Sequence, residues 1–76
     1  MILDEVKEIL SEQLGISAEK IELSSNLAED LGADSLDAID IVMSIEDQYS
    51  IEVPDETIEN MKTVEDIVNF IENNID

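Results

Sequence analysis

The chain has 76 residues and a formal net charge of -18, with 21 Asp and Glu against three Lys and neither Arg nor His. That charge repels polyphosphate partners, and Lys7, Lys20 and Lys62 are too few and too scattered to form the basic patch that nucleic acid or an anionic membrane requires. With no cysteine there is no disulfide, no thiolate metal site and no thiol nucleophile, which suits a reducing cytoplasm. No apolar run approaches a membrane span and Met1-Ile2-Leu3-Asp4-Glu5 lacks the basic region of a signal peptide, so the expectation is a soluble cytoplasmic monomer.

Residues 1–76 read as one domain with a small core. From Ile2 to Leu14 the apolar positions 2, 3, 6, 9, 10 and 14 fall within an arc of about 140°, which predicts a half-buried surface helix ending at Gly15. Residues 16–34 set Ile16, Ile21, Leu23, Leu27 and Leu31 among turn formers without a sustained period. This predicts a long ordered loop, with Ser17 capping a turn over Ala18 to Ile21 and Asn26 capping another over Leu27 to Leu31.

The second helix is expected over Ser35 to Tyr49, with Asp34 or Ser35 as its N-cap and Asp37 in the first turn, where a negative charge suits the helix dipole. Ala38, Ile41, Val42, Ile45 and Tyr49 occupy one sector, and Leu36, Ile39 and Met43 a second beside Asp40 and Asp47, for an apolar arc of roughly 220°. A small core buries only one of these faces. The other must meet a partner.

Ile51, Val53 and Pro54 form an extended exit, and Asp55 is expected to cap a short helix carrying Ile58 and Met61. Thr63 and Asp66 have the spacing of a capping box, and positions 64, 67, 68, 71 and 75 then make a tight helical stripe with Phe70 at its flank. Asn73 to Asp76 should fray. No strand pattern competes, so the fold class is all-α: a small four-helix bundle, three main helices plus one short one, with the long ordered loop between the first two.

Ser35 is the residue that carries chemistry. As a catalytic nucleophile it would need a base, and the absence of histidine excludes a Ser-His triad, while no lysine lies near it in sequence to make a Ser-Lys pair. As a plain helix cap it is redundant, because Asp34 can do that work. Its hydroxyl is then free for modification, and a phosphodiester placed there would sit at the positive end of the helix dipole. The acids Asp30, Asp34, Asp37 and Asp40 do not form a calcium loop: with Asp30 as first ligand, Gly32 falls at the third position and Ile41 at the twelfth. No metal site is expected.

Gly32-Ala33-Asp34-Ser35-Leu36-Asp37, with Asp40, Val42-Met43 and Val53-Pro54-Asp55 following, resembles the acyl carrier protein family, most closely the carriers of type II fatty acid synthesis. The likeness runs from the first helix to Phe70. It implies that Ser35, supported by Asp34 and Leu36, receives 4'-phosphopantetheine from coenzyme A and that acyl groups ride on this arm as thioesters. It further implies that Leu36, Asp37, Ile39, Asp40, Met43, Glu46 and Asp47 dock the basic patches of a phosphopantetheinyl transferase and of fatty acid synthesis enzymes, and that the bundle interior shelters the acyl tail. Asp40 stands where the family commonly has Glu and Tyr49 where it commonly has Phe, which leaves the cargo open. Carriers of polyketide, peptide or lipid A pathways share this pattern, and an acidic interaction module without a prosthetic group would share the charge and the helices. Neither reading makes the chain an enzyme.

Overall fold

The computed structural model describes residues 2–75, and its elements follow the periodicity closely: α1 (Ile2–Leu14), a 3-10 turn (Ala18–Lys20), α2 (Ser35–Tyr49), α3 (Asp55–Asn60) and α4 (Val64–Asn74). The helices α1, α2 and α4 surround the core, and α3 leans on α2. Val6, Leu10, Ile21, Ile41, Ile45, Val64, Ile67 and Ile71 are the largest fully buried side chains. All but Leu10 are β-branched, so their first torsion is restricted and they lose little rotamer freedom on packing. Each contributes roughly 1.5–3 kcal/mol by leaving water, which in a domain this small must offset nearly all the ordering entropy.

Gly15 ends α1 at φ +68°, and the N–H groups of Gly15 and Ile16 both close on the Ser11 carbonyl, at 2.9 and 3.2 Å. The loop beyond is ordered as expected. Ser17 accepts from the Glu19 N–H, although the 3-10 turn stops at Lys20 and Ile21 leaves it to enter the core. Asn26 Oδ1 accepts the N–H groups of Ala28 and Glu29 at 3.0 and 2.9 Å, which nucleates the second turn.

The long loop is held chiefly by its backbone. The carbonyls of Ser25 and Leu23 accept the N–H groups of Val64 and Glu65, at 3.1 and 2.9 Å, and the Leu27 N–H donates to the Lys62 carbonyl at 2.9 Å. The first N–H groups of α4, which have no partner within their own helix, are thereby satisfied by the loop. The result is an isolated antiparallel bridge between Asn26 and Thr63 where the pattern predicts no pairing at all. Leu23, expected as an apolar peg, is instead 40% exposed and contributes its carbonyl.

Two boundary expectations are corrected. Pro54, at φ -62° and ψ 150°, is the N-cap of α3 and Asp55 is already helical, because the fixed proline φ leads straight into the first turn while its extended ψ still lies outside it. The Pro54 carbonyl accepts from the Thr57 and Ile58 N–H groups at 2.9 and 3.1 Å. At the other end Asn73 and Asn74 stay helical and Ile75 packs on the core, the Asn74 amide bonding the Phe70 carbonyl at 2.7 Å; the fraying expected of Asp76 lies outside the described residues.

Tyr49 reaches across from α2 and donates its hydroxyl to the Glu5 carboxylate on α1, the partner that a half-buried phenol needs. Burial first, then the hydrogen bond to and the charge of Glu5, raise the phenol far above its ordinary value.

Candidate functional site around Ser35

Gly32, at φ +72°, turns the chain toward α2, and the Ala33 N–H is tied to the Leu27 carbonyl at 2.8 Å. Asp34 follows in extended conformation and is the N-cap. Its Oδ1 accepts the Asp37 N–H at 2.9 Å while Asp37 Oδ2 accepts the Asp34 N–H at 3.2 Å, a reciprocal capping box built from two aspartates. Ser35 is therefore the first helical residue, exposed, with no part in the cap. An anion on its oxygen lies at the positive end of a 15-residue helix.

Beside Ser35 an open groove of about 560 Å3 runs between the Asn26 turn, the start of α2 and the connector before α4. Leu27, Ala28, Ala33, Ala38 and Met61 give it an apolar lining, with Asn26, Glu29, Asp34 and Lys62 as its polar members. The volume is in the range of clefts that hold small molecules.

On the outer face of α2, Leu36 is 73%, Ile39 49% and Met43 59% exposed, whereas Ile41, Val42 and Ile45 are buried and Ala38 and Tyr49 half-buried. The helix is two-faced in the register expected. Asp40 and Asp47 are exposed beside this apolar stripe, and Asp40 also accepts from the Gln13 amide on α1 at 3.3 Å. Glu46 behaves differently. It is half-buried and its carboxylate accepts the Val53 N–H at 2.9 Å, while its carbonyl accepts the N–H groups of Ser50 and Ile51. It shapes the exit from α2, a task invisible in sequence because its partner lies beyond the turn.

Lys62 is the other residue that sequence reasoning did not place near Ser35. Its carbonyl is pinned by Leu27 and its N–H by the Asp66 carboxylate at 3.0 Å, so the backbone carrying this amine is fixed at the groove wall. Among the described residues no three acidic side chains gather into a group able to hold a metal ion, and no helix is long and apolar enough to cross a membrane.

Residues 4–71 match a protein-family model described as a phosphopantetheine attachment site. The acyl carrier protein of Wolinella succinogenes is 47% identical over 73 residues, covering 96% of this chain and 96% of that protein. That of Clostridium acetobutylicum is 45% identical over 71 residues, covering 93% and 92%, and that of Thermosynechococcus vestitus 43% identical over 74 residues, covering 97% and 91%. Matched along nearly its whole length, and with an exposed, uncapping serine at the head of its longest helix, the chain belongs to the acyl carrier protein family, acyl-chain carriers that work through a phosphopantetheine prosthetic group.

Proposed function

We propose that Ser35 is the residue that carries the 4'-phosphopantetheine arm, and that residues 1–76 act as one acyl carrier domain serving fatty acid synthesis. The observation that carries this reading is the division of labour at the head of α2, where Asp34 and Asp37 close the cap between themselves and leave the Ser35 hydroxyl exposed. The residues present suit the group: the oxygen lies at a helix N-terminus that tolerates an anion, and a groove able to hold a small molecule opens beside it.

In the loading step the Ser35 oxygen attacks the pantetheine-side phosphorus of coenzyme A. A P–O bond forms as the nucleotide portion leaves with the electron pair of the broken P–O bond, and the serine proton passes to a base on the transferase. In this reading the base belongs to the transferase, and the chain catalyses nothing itself. The arm, once bound, supplies the thiol that holds acyl groups as thioesters.

The transferase and the synthesis enzymes dock, in this reading, on Leu36, Ile39 and Met43 through apolar contact and on Asp37, Asp40 and Asp47 through basic patches. Glu46 keeps that face in shape by holding the α2 exit. The acyl tail shelters against the bundle beneath α2, and the protein works as a cytoplasmic monomer.

Incubation with coenzyme A and a phosphopantetheinyl transferase should raise the intact mass by one arm, and Ser35→Ala should gain none. An unchanged wild-type mass overturns the assignment.

A further inference from the structure

We infer that Met43 is a modification site: a hydroperoxide oxidises its exposed thioether to the sulfoxide, and the oxidised face of α2 loses its hold on partners while the fold stands. This rests on the docking reading of that face. The chain has three methionines and no cysteine, so before the arm is attached thioethers are the only sulfur it presents to an oxidant. Exposure then separates them. Met43 is 59% exposed on the outer face of α2, whereas Met61 is half-buried and packed against the core. Oxidation follows access to the sulfur, so Met43 reacts ahead of Met61.

The step needs no catalytic group. A lone pair of the sulfur forms an S–O bond to one peroxide oxygen as the O–O bond breaks, and the departing hydroxide takes the proton of the transferred oxygen and leaves as water. Sulfur loses two electrons and the peroxide gains them. A sulfoxide reductase reverses the change, so the mark can be erased.

The new oxygen is a strong hydrogen-bond acceptor in a place with no donor of its own. Three and four residues from Met43 on α2 stand Ile39, Asp40, Glu46 and Asp47, an aliphatic chain and three carboxylates, and a charged carboxylate only accepts. In the free protein water satisfies the oxygen. When an apolar partner surface closes on Leu36, Ile39 and Met43, that water has to leave, and the contact weakens. The core includes no part of this side chain, so the bundle is untouched.

The test treats arm-free protein with hydrogen peroxide, removes the excess with catalase, and follows oxygen gain at each methionine by peptide mass mapping. Met43 should gain one oxygen before Met61 does. In timed loading by a phosphopantetheinyl transferase and coenzyme A, KM for the carrier oxidised at Met43 should rise about five- to thirtyfold with kcat little changed, the range for an unpaired polar group moved into an apolar contact. Methionine sulfoxide reductase should restore the starting KM, and Met43→Leu should show one KM before and after peroxide. Oxygen gain at Met61 as fast as at Met43, an unchanged KM once Met43 is oxidised, or loss of helical circular dichroism on that oxidation overturns the proposal. Met43→Glu keeps it distinct from the docking reading. If that variant loads like wild type, both fall; if it loads poorly while the oxidised protein loads normally, the oxidation site alone falls.

Discussion

Asp66 does at the head of α4 what Asp37 does at the head of α2. Its Oδ2 accepts the N–H groups of Lys62 and Thr63 at 3.0 and 3.1 Å, and its own N–H donates to the Thr63 hydroxyl at 3.2 Å. Partial burial opposes the charge, but the two N–H donors, the Thr63 side chain and the charge of Lys62 together prevail, holding the carboxyl below its ordinary value of 3.8. A lowered folded value means that the stabilisation is present above the unfolded value and disappears as pH falls through the folded one. Asp66→Ala should therefore lose about 1 kcal/mol at pH 7, and its deficit against wild type should close as pH drops below about 4. Urea titrations across that range read the difference, and a deficit independent of pH counts against the cap. Glu46 and Asp47 are neighbours with opposite expected behaviour. Glu46→Ala should cost about 1–2 kcal/mol, because it strands the Val53 N–H, whereas Asp47→Ala should change stability by less than about 0.5 kcal/mol and slow association with a basic partner. The Thr63–Asp66 box was legible from spacing alone. Its counterpart was half legible, since an aspartate at the third position reads as a dipole partner before it reads as a reciprocal cap. Glu46 could not be read, because a side chain reaching across a turn leaves no periodic trace.

Among the elements, α2 has to satisfy two environments at once, and its width was visible in sequence because the apolar arc exceeds what one buried face needs. Met43→Glu places another charge on a position already 59% exposed, so helical circular dichroism should persist while affinity for a synthase falls. Loss of helicity would assign Met43 to the core. The end of α2 holds a different kind of information. Ser50 sits at φ 54° and ψ 45°, a left-handed conformation that costs a non-glycine residue roughly 1 kcal/mol, and the chain tolerates it to close the N–H groups of Ser50 and Ile51 on the Glu46 carbonyl. Ser50→Gly should remove that strain and raise stability by up to about 1 kcal/mol, less whatever glycine adds to unfolded-state entropy; a drop in the urea midpoint would mean the Ser50 side chain has a role of its own. The loop after α1 was readable as long and ordered, but not the source of its order. Its carbonyls meet the free N–H groups of α4 across some forty residues of sequence, and no local pattern encodes a partner that far away. A separation of 27 residues likewise hid Lys62 from Ser35.

For the whole molecule the decisive quantity is charge held in a small volume: 21 acids and three lysines on a body of 28 by 25 by 19 Å. At 0.1 M salt the screening length is about 10 Å, so an acid still senses neighbours across a good part of the surface, whereas at 1 M it falls to about 3 Å and only adjacent charges interact. Unfolding moves the acids apart, so repulsion favours the unfolded chain, and screening should favour the folded one. Raising sodium chloride from 0.01 to 1 M should lift the thermal midpoint by about 4–8 °C, the response of a domain this size to roughly 1 kcal/mol, and a neutral osmolyte at matched osmolality should do less. The same ions should act with the opposite sign on partners, lowering the rate at which a basic enzyme captures the α2 face as the steering field is screened. Stability and capture thus oppose each other along one variable. A carrier visited by many enzymes gains from fast, weak, charge-guided encounters, and the cost is a fold that stands against its own field. A midpoint indifferent to salt would show that caps and core, rather than relief of repulsion, set the stability; an association rate indifferent to salt would remove charge as the guide.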